Sequence, residues 1–443
     1  MIRLHERLHN PAVWAIAGLG LSHFAIDWMS DSPALVIAHL RDRYALTATT
    51  VGLWMAVFSV SASLLQVPLG WWFQRIGWLQ PGGRVRRVLW FVIGLVLVAS
   101  IFMGLVPLGG HPGVHLTFLI LAGLAIATFH PLGAGLVYLL TERDRAFWMG
   151  VFISSGVVGF GLGPWFVGMM LTAGNGVYTV GQIFVGAVMV PFVFFLFQKG
   201  FRRGITSTPE SSTVPSHERS VRWGVIAILY VLVVVREWAK LGVITYWPLL
   251  MRAVGWSDAR IGFWLSFFLI PGPLLGWLVG AWADRVGGKR VLWILQWCVL
   301  MAWIGYFFLP VHSPVRLVWF VLAGTALVAT SPINVVMAQR LAPQYLGLVT
   351  ALMMGFAWGA SGLLLPVLGK VADVLSIPTM LHFPIVASLI SLLLIALLPN
   401  DRGEAYNPFD EDPSHQIHGG SDGRSCRSPD SDDGSGVPDD RAV

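Results

Sequence analysis

The sequence predicts an all-α polytopic membrane protein with twelve transmembrane helices, arranged as two pseudo-symmetric six-helix halves. Of its 443 residues, 56% are hydrophobic and 12% are charged, whereas soluble domains average about 25% charged residues. Charged or Gly/Pro-rich points divide the apolar sequence into twelve stretches long enough to span a membrane. The two halves also resemble each other at an offset of 210 residues.

The predicted helices lie near residues 13–40, 48–73, 88–108, 116–140, 146–172, 178–198, 222–251, 258–282, 290–310, 316–339, 345–372 and 379–398. Residues 1–198 therefore form the first half and residues 222–398 the second. Residues 199–221 between them are rich in Ser, Thr and Pro, which is typical of a linker.

The charges indicate topology and exclude other classes of protein. Lys and Arg are concentrated in short loops on one side, which favours the bilayer over nucleic acid as partner and places both termini in the cytoplasm. Residues 399–443 carry 11 acidic and 4 basic residues and few apolar ones, so we predict a disordered acidic tail.

Arg3 and Arg7 precede a run too long for a signal peptide, which predicts an uncleaved first span. Two cysteines, Cys298 and Cys426, provide no disulfide framework or metal site, and we expect no cofactor.

The internal repeat includes polar positions as well as apolar ones. Arg75 coincides with Arg285 at the offset of 210, and several glycines coincide in the same stretch. Asp27 in the first half aligns with Glu237 in the second at the same offset. A duplicated six-helix unit is typical of transporters that rock two halves about a site near the bilayer midplane.

A polar stripe interrupts the first helix. His23, Asp27 and Asp31 recur at i, i+4 and i+8, which places them on one helix face. Ionisable groups are tolerated inside a membrane mainly where they face a bundle interior or a wet cavity, so this face predicts a functional site. The alternatives are that Asp31 lies near the outer water and that His23 is hydrogen-bonded packing.

A second polar cluster lies in the seventh helix. Arg236 and Lys240 are one turn apart, and Glu237 can pair with Lys240 at i, i+3. One interpretation is that the charges of this cluster neutralise one another and have only a structural role. The other is that Arg236 shares a cavity with Asp27 at similar depth, so that each charge controls the protonation of the other.

Further motifs lie in the fourth and fifth helices and at two helix ends. His130 precedes Pro131, and an imidazole there either titrates or packs. Glycines in the fifth helix, with Pro164, favour bending and close helix contact, although simple tight packing explains them equally well. The helix-five motif comprises Gly150, Gly159, Gly163, Pro164 and Gly168, and the two loop motifs comprise Gly70, Arg75, Gly77, Gly280, Asp284, Arg285, Gly287, Lys289 and Arg290.

These motifs resemble the major facilitator superfamily. Residues 280–290 match its cytoplasmic loop motif, while Gln74 replaces the usual Asp in the first-half copy. The helix-five motif is similar to that of proton/drug antiporters, except for Val167 at a position that is usually Gly. The sequence further resembles the fosmidomycin resistance family through residues 22–24, Asp27, residues 129–131, Arg236 and residues 338–339.

This resemblance implies alternating-access, proton-coupled efflux of a small molecule or drug across a bacterial inner membrane by a monomer. Asp27 would be the principal proton acceptor, His130 a relay, and Arg236 or Lys240 a counter-ion or anion-binding group. Rivals are proton-coupled uptake of a small organic anion and a non-transporting receptor or scaffold. An enzyme is disfavoured because the sequence contains no H-E-x-x-H, G-x-S-x-G or P-loop motif.

Overall fold

The computed structural model describes residues 12–79, 85–141, 145–202, 221–310, 313–342 and 345–400, which are helical with short connections and contain no strand. Arg3, Arg7, most of the predicted linker (203–220) and the predicted tail beyond residue 400 lie outside the described residues. The predictions made for those segments therefore stay predictions.

Six helical stretches form the first half of the described chain, and two of them are interrupted. They are α1 (Ala12–Ser30 and Ser32–Tyr44), α2 (Ala48–Ser59, a π-turn at Val60–Leu64, and Gln66–Arg75), α3 (Val85–Leu105), α4 (Pro112–Leu140), α5 (Arg145–Ala173) and α6 (Asn175–Arg202).

Six more helical stretches follow residue 221. They are α7 (Trp223–Ala253), α8 (Asp258–Leu269 and Pro271–Val286), α9 (Gly288–Phe308), α10 (Pro314–Ala329 and Ser331–Leu341), α11 (Leu346–Ala351, a π-turn at Leu352–Phe356, Ala357–Leu363 and Leu365–Val374) and α12 (Ile377–Met380 and Phe383–Leu397).

Among the described residues, eleven helices are long and apolar enough to cross a membrane. The helix outside that set is α7, which carries Arg236, Glu237 and Lys240 near its middle. The all-α membrane fold is confirmed, and the count of twelve spans remains a prediction that depends on α7.

The 210-residue repeat corresponds to repeated local structure. Thr47 and Ser257, one offset apart, cap α2 and α8 by accepting hydrogen bonds from the backbone three residues ahead. Gly77 and Gly287, also one offset apart, both adopt positive φ values (77° and 96°) just beyond the ends of these helices. Glycine has no Cβ to disfavour that conformation, which explains its recurrence at both positions.

Two crossed helix contacts close one end of the bundle. On one side α2 packs against α11, where a Cβ on Gly52 would lie 2.8 Å from the Leu365 carbonyl oxygen. On the other side α5 packs against α8, where a Cβ on Gly262 would lie 2.0 Å from the Pro164 carbonyl oxygen. Gly52 and Gly262 are one repeat apart, so equivalent glycines permit backbone contact at both crossings.

Each crossing also includes a hydrogen bond to the start of the opposing helix. At the end of α11, the Asp373 carboxylate accepts from Ala48 N (2.7 Å), Thr49 N (2.9 Å) and Thr49 Oγ1 (2.6 Å) of α2. At the end of α5, Thr172 Oγ1 accepts from Ala259 N of α8 at 2.9 Å. The α2–α11 crossing is therefore the stronger, because its acceptor is charged and makes three bonds.

Asp373→Ala should weaken this end of the bundle. The substitution removes a capping carboxylate from the exposed α2 N-terminus, a loss that typically costs about 0.5–2 kcal/mol. We expect a lower midpoint of thermal unfolding in detergent. Asp42→Ala is the matched control, because the Asp42 side chain is 70% exposed and its contact to Arg252 is 3.4 Å long. Equal midpoints for the two variants would show that the Asp373 contacts do not hold the crossing.

Candidate functional site

Asp27 of α1 lies between two imidazoles, one from its own helix and one from α4. Its Oδ2 atom is 3.2 Å from His23 Nε2, and its Oδ1 atom is 3.1 Å from His130 Nε2. The three side chains are buried or half-buried. A carboxylate that would be costly to bury alone thus has a hydrogen-bonding partner at each oxygen. We call His23, Asp27 and His130 the triad.

The contacts of His23 constrain where protons reside. Its Nδ1 lies 2.8 Å from the Phe152 carbonyl oxygen of α5, which can only accept, so Nδ1 carries a hydrogen. A neutral ring would then present a bare Nε2 to Asp27 Oδ2, and two acceptors would face each other. The pair is satisfied only when it holds one additional proton, on Nε2 or on the carboxyl group.

His130 has similar contacts on its own helix and one more from α2. Its Nδ1 lies 2.8 Å from the Ile126 carbonyl oxygen, one turn earlier in α4. Gln66 Nε2 of α2 approaches the same Nδ1 at 3.4 Å. By the argument used for His23, Nδ1 carries a hydrogen, so a His130 ring that also donates from Nε2 to Asp27 is cationic. Gln66 and the Phe152 carbonyl were not predicted, because both lie on helices other than that of the histidine they contact, and no sequence pattern shows which helices meet.

Glycines of α5 make room for the triad. A Cβ on Gly156 would lie 2.5 Å from both Asp27 Oδ2 and His23 Nε2, and Cβ atoms on Gly159 and Gly163 would meet the α1 backbone. The opposite face of α5, with Gly161 and Gly168, contacts α8 in the same way. Both sets permit close packing, whereas a Cβ on Gly150 would meet nothing within 4 Å. Gly156 is not part of the predicted helix-five motif.

The donor atoms of the triad lie within 4.8 Å of one another, a spacing that also suits a metal ion. The separations of 3.1 and 3.2 Å between nitrogen and oxygen are ordinary hydrogen-bond distances. The described structure therefore accounts for the triad by proton sharing.

Asp31 is placed differently from the other members of the predicted polar face. It lies at the break between the two segments of α1, where Ser32–Pro33 begins the next segment. The side chain is buried, and Oδ2 makes no hydrogen bond within the described residues. Because α1 breaks here, the i+8 spacing from His23 does not place Asp31 in the triad.

Arg236 of α7 lies in an environment of its own. Its guanidinium donates to the Leu327 carbonyl oxygen at 2.6 Å and to Thr330 Oγ1, at the break in α10. Within the described chain, no carboxylate lies within 4.0 Å of it, and its Nε makes no hydrogen bond. In this conformation Arg236 forms no ion pair with Asp27, which already has two imidazole partners, and the predicted shared cavity stays a prediction.

The remaining residues of the α7 cluster form the pair that the spacing predicts. Lys240 Nζ lies 2.5 Å from Glu237 Oε2, and Lys240 also lies 5.8 Å from the centre of the Phe160 ring of α5. The pair is mostly buried, with 13% and 18% of the side chains exposed. Two of the three α7 charges thus neutralise each other, and Arg236 is the unbalanced one.

The two loop motifs lie at the ends of α2 and α8. Asp284 pairs with Arg340 of α10 at 3.1 Å, and Lys289 donates to carbonyl oxygens at the end of α12. Arg285 and Arg290 are exposed, and a Cβ on Gly280 would meet nothing within 4 Å. In the first half, Gly70 packs on Pro131 and the Arg75 guanidinium lies over the Trp71 ring.

Comparisons with known proteins identify relatives along most of the chain. The model of the Major Facilitator Superfamily matches residues 18–238 and 226–417. The chain is 25% identical over 401 residues to the fosmidomycin resistance protein of Escherichia coli (strain K12), covering 87% of this chain and 93% of that protein. It is also 25% identical over 398 residues to the uncharacterised MFS-type transporter YfnC of Bacillus subtilis (strain 168), covering 87% and 92%.

Solved structures share the fold at lower sequence identity. The nucleoside transporter NupG (D323A mutant) matches with a TM-score of 0.65 and 13% identity, covering 87% of this chain and 99% of that one. A D-xylose-proton symporter matches with a TM-score of 0.63 and 16% identity, covering 89% and 99%. The chain belongs to the Major Facilitator Superfamily and is a multi-pass membrane transporter, not an enzyme.

Proposed function

We propose that this transporter exports a small molecule across a bacterial inner membrane in exchange for protons. The observation that carries the proposal is the contact of one buried carboxylate with two imidazoles, which requires at least one shared proton. A site that holds protons inside the membrane, and whose charge changes when they leave, has the properties of a coupling site.

Proton occupancy would change the charge of the triad in steps. With one added proton between His23 and Asp27 and a neutral His130, the triad is neutral overall. A second proton on His130 gives it a net positive charge. Exchange would follow if substrate binding and the second proton disfavour each other, because such negative coupling between two ligands is reciprocal.

The buried charge of Arg236 favours a substrate that carries an acidic group. Arg236 forms no ion pair among the described residues, because the neighbouring Glu237 pairs with Lys240, and an anionic group could balance its charge. Asn334, one turn beyond Thr330 in α10, also has a buried Oδ1 that lacks a partner within the described residues. Proton-coupled uptake of a small organic anion remains the second candidate, because the same charges would serve either direction.

Everted membrane vesicles containing the transporter test direction and coupling together. Fosmidomycin is the first compound to measure, since a relative is named for resistance to it. An imposed gradient, acidic inside, should drive its accumulation, and Asp27→Asn should reduce accumulation to the level of vesicles lacking the protein. Asp42→Asn, a change at an exposed carboxylate, should retain it. Accumulation driven only by the opposite gradient would favour uptake, and unchanged transport by Asp27→Asn would remove the triad from the mechanism.

Gly156→Ala should abolish transport without changing any ionisable residue. Its methyl group would occupy the space of Asp27 Oδ2 and His23 Nε2, which would separate the carboxylate from the imidazole. The matched control is Gly150→Ala on the same helix, where the methyl group meets open space and the helix gains up to about 1 kcal/mol. Size-exclusion profiles confirm folding, and equal gradient-driven transport by both variants would contradict the positioning role of Gly156.

A further inference from the structure

Two π-turns face each other where α2 and α11 meet. One covers Val60–Leu64 of α2 and the other Leu352–Phe356 of α11, and Ser63 Oγ donates to the Gly355 carbonyl oxygen between them. π-turns inside α-helices are rare and are frequently found at functional sites. Each one leaves the helix locally less regular, so the helix can bend there at low cost.

Small residues keep this contact close. A Cβ on Gly359 would lie 2.7 Å from the Leu64 side chain, and one on Gly362 would lie 2.2 Å from Ser59 Cβ. Beyond the π-turns, towards the ends of the helices that carry the loop motifs, Gly70 packs against Pro131 of α4 instead. The paired π-turns therefore lie where α2 contacts both α11 and α4, since a Cβ on Gly123 of α4 would lie 2.1 Å from Ser61 Oγ in the α2 π-turn.

Gln66 connects this contact to the triad. Its amide nitrogen lies 2.9 Å from the Ala62 carbonyl oxygen inside the α2 π-turn and 3.4 Å from His130 Nδ1. The amide has two N–H donors, so it can bond Ala62 and, when Nδ1 has no hydrogen, His130 as well. A continuous set of contacts thus runs from Asp27 through His130 and Gln66 to the π-turn that contacts α11.

The contact between Gln66 and His130 depends on the protonation of the ring. In the described geometry His130 Nδ1 lies 2.8 Å from the Ile126 carbonyl oxygen and therefore carries a hydrogen, which faces the Gln66 N–H group without bonding it. A ring that loses this hydrogen has a lone pair on Nδ1, which repels the carbonyl oxygen and can accept from Gln66. Gln66 therefore distinguishes the two forms of His130 by hydrogen-bond direction.

Few charged or titratable groups face His130. Among the described residues, the titratable groups that face His130 are Asp27, at 3.1 Å, and His23, whose ring meets the His130 ring edge-on with 5.2 Å between the ring centres. Helix α2 contributes the neutral Gln66, and α5 contributes the Phe152 carbonyl to His23. On α7, Glu237 pairs with Lys240, and Arg236 bonds Thr330.

We propose that Gln66 is a positioning residue that transmits the protonation state of His130 to the paired π-turns, so that loss of the Nδ1 hydrogen draws the Gln66 amide towards His130 and changes the contact between α2 and α11. The inference rests on the proposed function, because it assigns the mechanical step that accompanies a change in protonation of the triad. It adds Gln66 and Ser63 to the residues on which coupling depends.

Pulsed electron paramagnetic resonance on spin-labelled full-length protein tests this step without a substrate. Cys298 and Cys426 are replaced by Ser, and labels are attached at Trp72→Cys and Leu348→Cys, which are 49% and 45% exposed and lie on the same side of the two π-turns. The label distance should change between about pH 8 and pH 5, the range over which histidines titrate.

Substitutions at Gln66 separate transmission from a merely structural role. Gln66→Met keeps the size of the side chain without donors, and the pH-dependent change of the label distance should be lost. Gln66→Glu presents an acceptor that prefers cationic His130, so the direction of the change should reverse. Gln182→Met removes another buried amide, which bonds Ser32 in α1, and should leave the change intact.

The outcomes distinguish this inference from the proposed function. A pH-dependent distance that persists unchanged in Gln66→Met or keeps its direction in Gln66→Glu would overturn the role of Gln66, even if vesicle transport is proton-coupled. A distance that is independent of pH in the background protein would also overturn it. Loss of vesicle transport activity alone, with the label distances as expected, would remove only the proposed efflux.

Discussion

The structure depends on keeping ionisable side chains inside a membrane at a tolerable cost. A lone carboxylate at that depth is unfavourable by several kcal/mol or more. Asp27 avoids this cost by hydrogen bonding to two imidazoles, each of which is fixed by a main-chain carbonyl. The same requirement makes the triad sensitive to protons, because its hydrogen bonds are complete only at particular proton occupancies.

The helices that pack around the triad also contact the helices that we expect to move. Helix α5 contacts α1 through one row of glycines and α8 through another, and α2 contacts both α4 and α11. The triad therefore borders helices that cross between the halves of the chain. A change of charge at Asp27 or His130 can reach the crossings over short, directly bonded distances, without a long chain of intermediates.

The sequence was most informative where chemistry and periodicity coincide. Hydropathy predicted the membrane helices, and the spacing of His23 and Asp27 predicted a contact that lies within one helix. His130 could be named from its neighbour Pro131, although not joined to Asp27, because that contact depends on how α1 and α4 pack. Arg236 was expected to meet Asp27, whereas it bonds the break in α10. The break at Asp31, the carbonyl partners and the role of Gly156 arise from tertiary packing, which local sequence patterns do not encode.

Nitrogen-15 NMR of the histidine rings measures the central claim directly, with signals assigned from His23→Gln and His130→Gln. We expect a hydrogen on Nδ1 of both rings, and a further hydrogen shared between Asp27 and at least one of the two Nε2 atoms. In Asp27→Asn, the signals of both Nε2 atoms should change, because their carboxylate partner is lost. Two rings that remain neutral at low pH, with signals unaffected by Asp27→Asn, would contradict a proton-sharing triad.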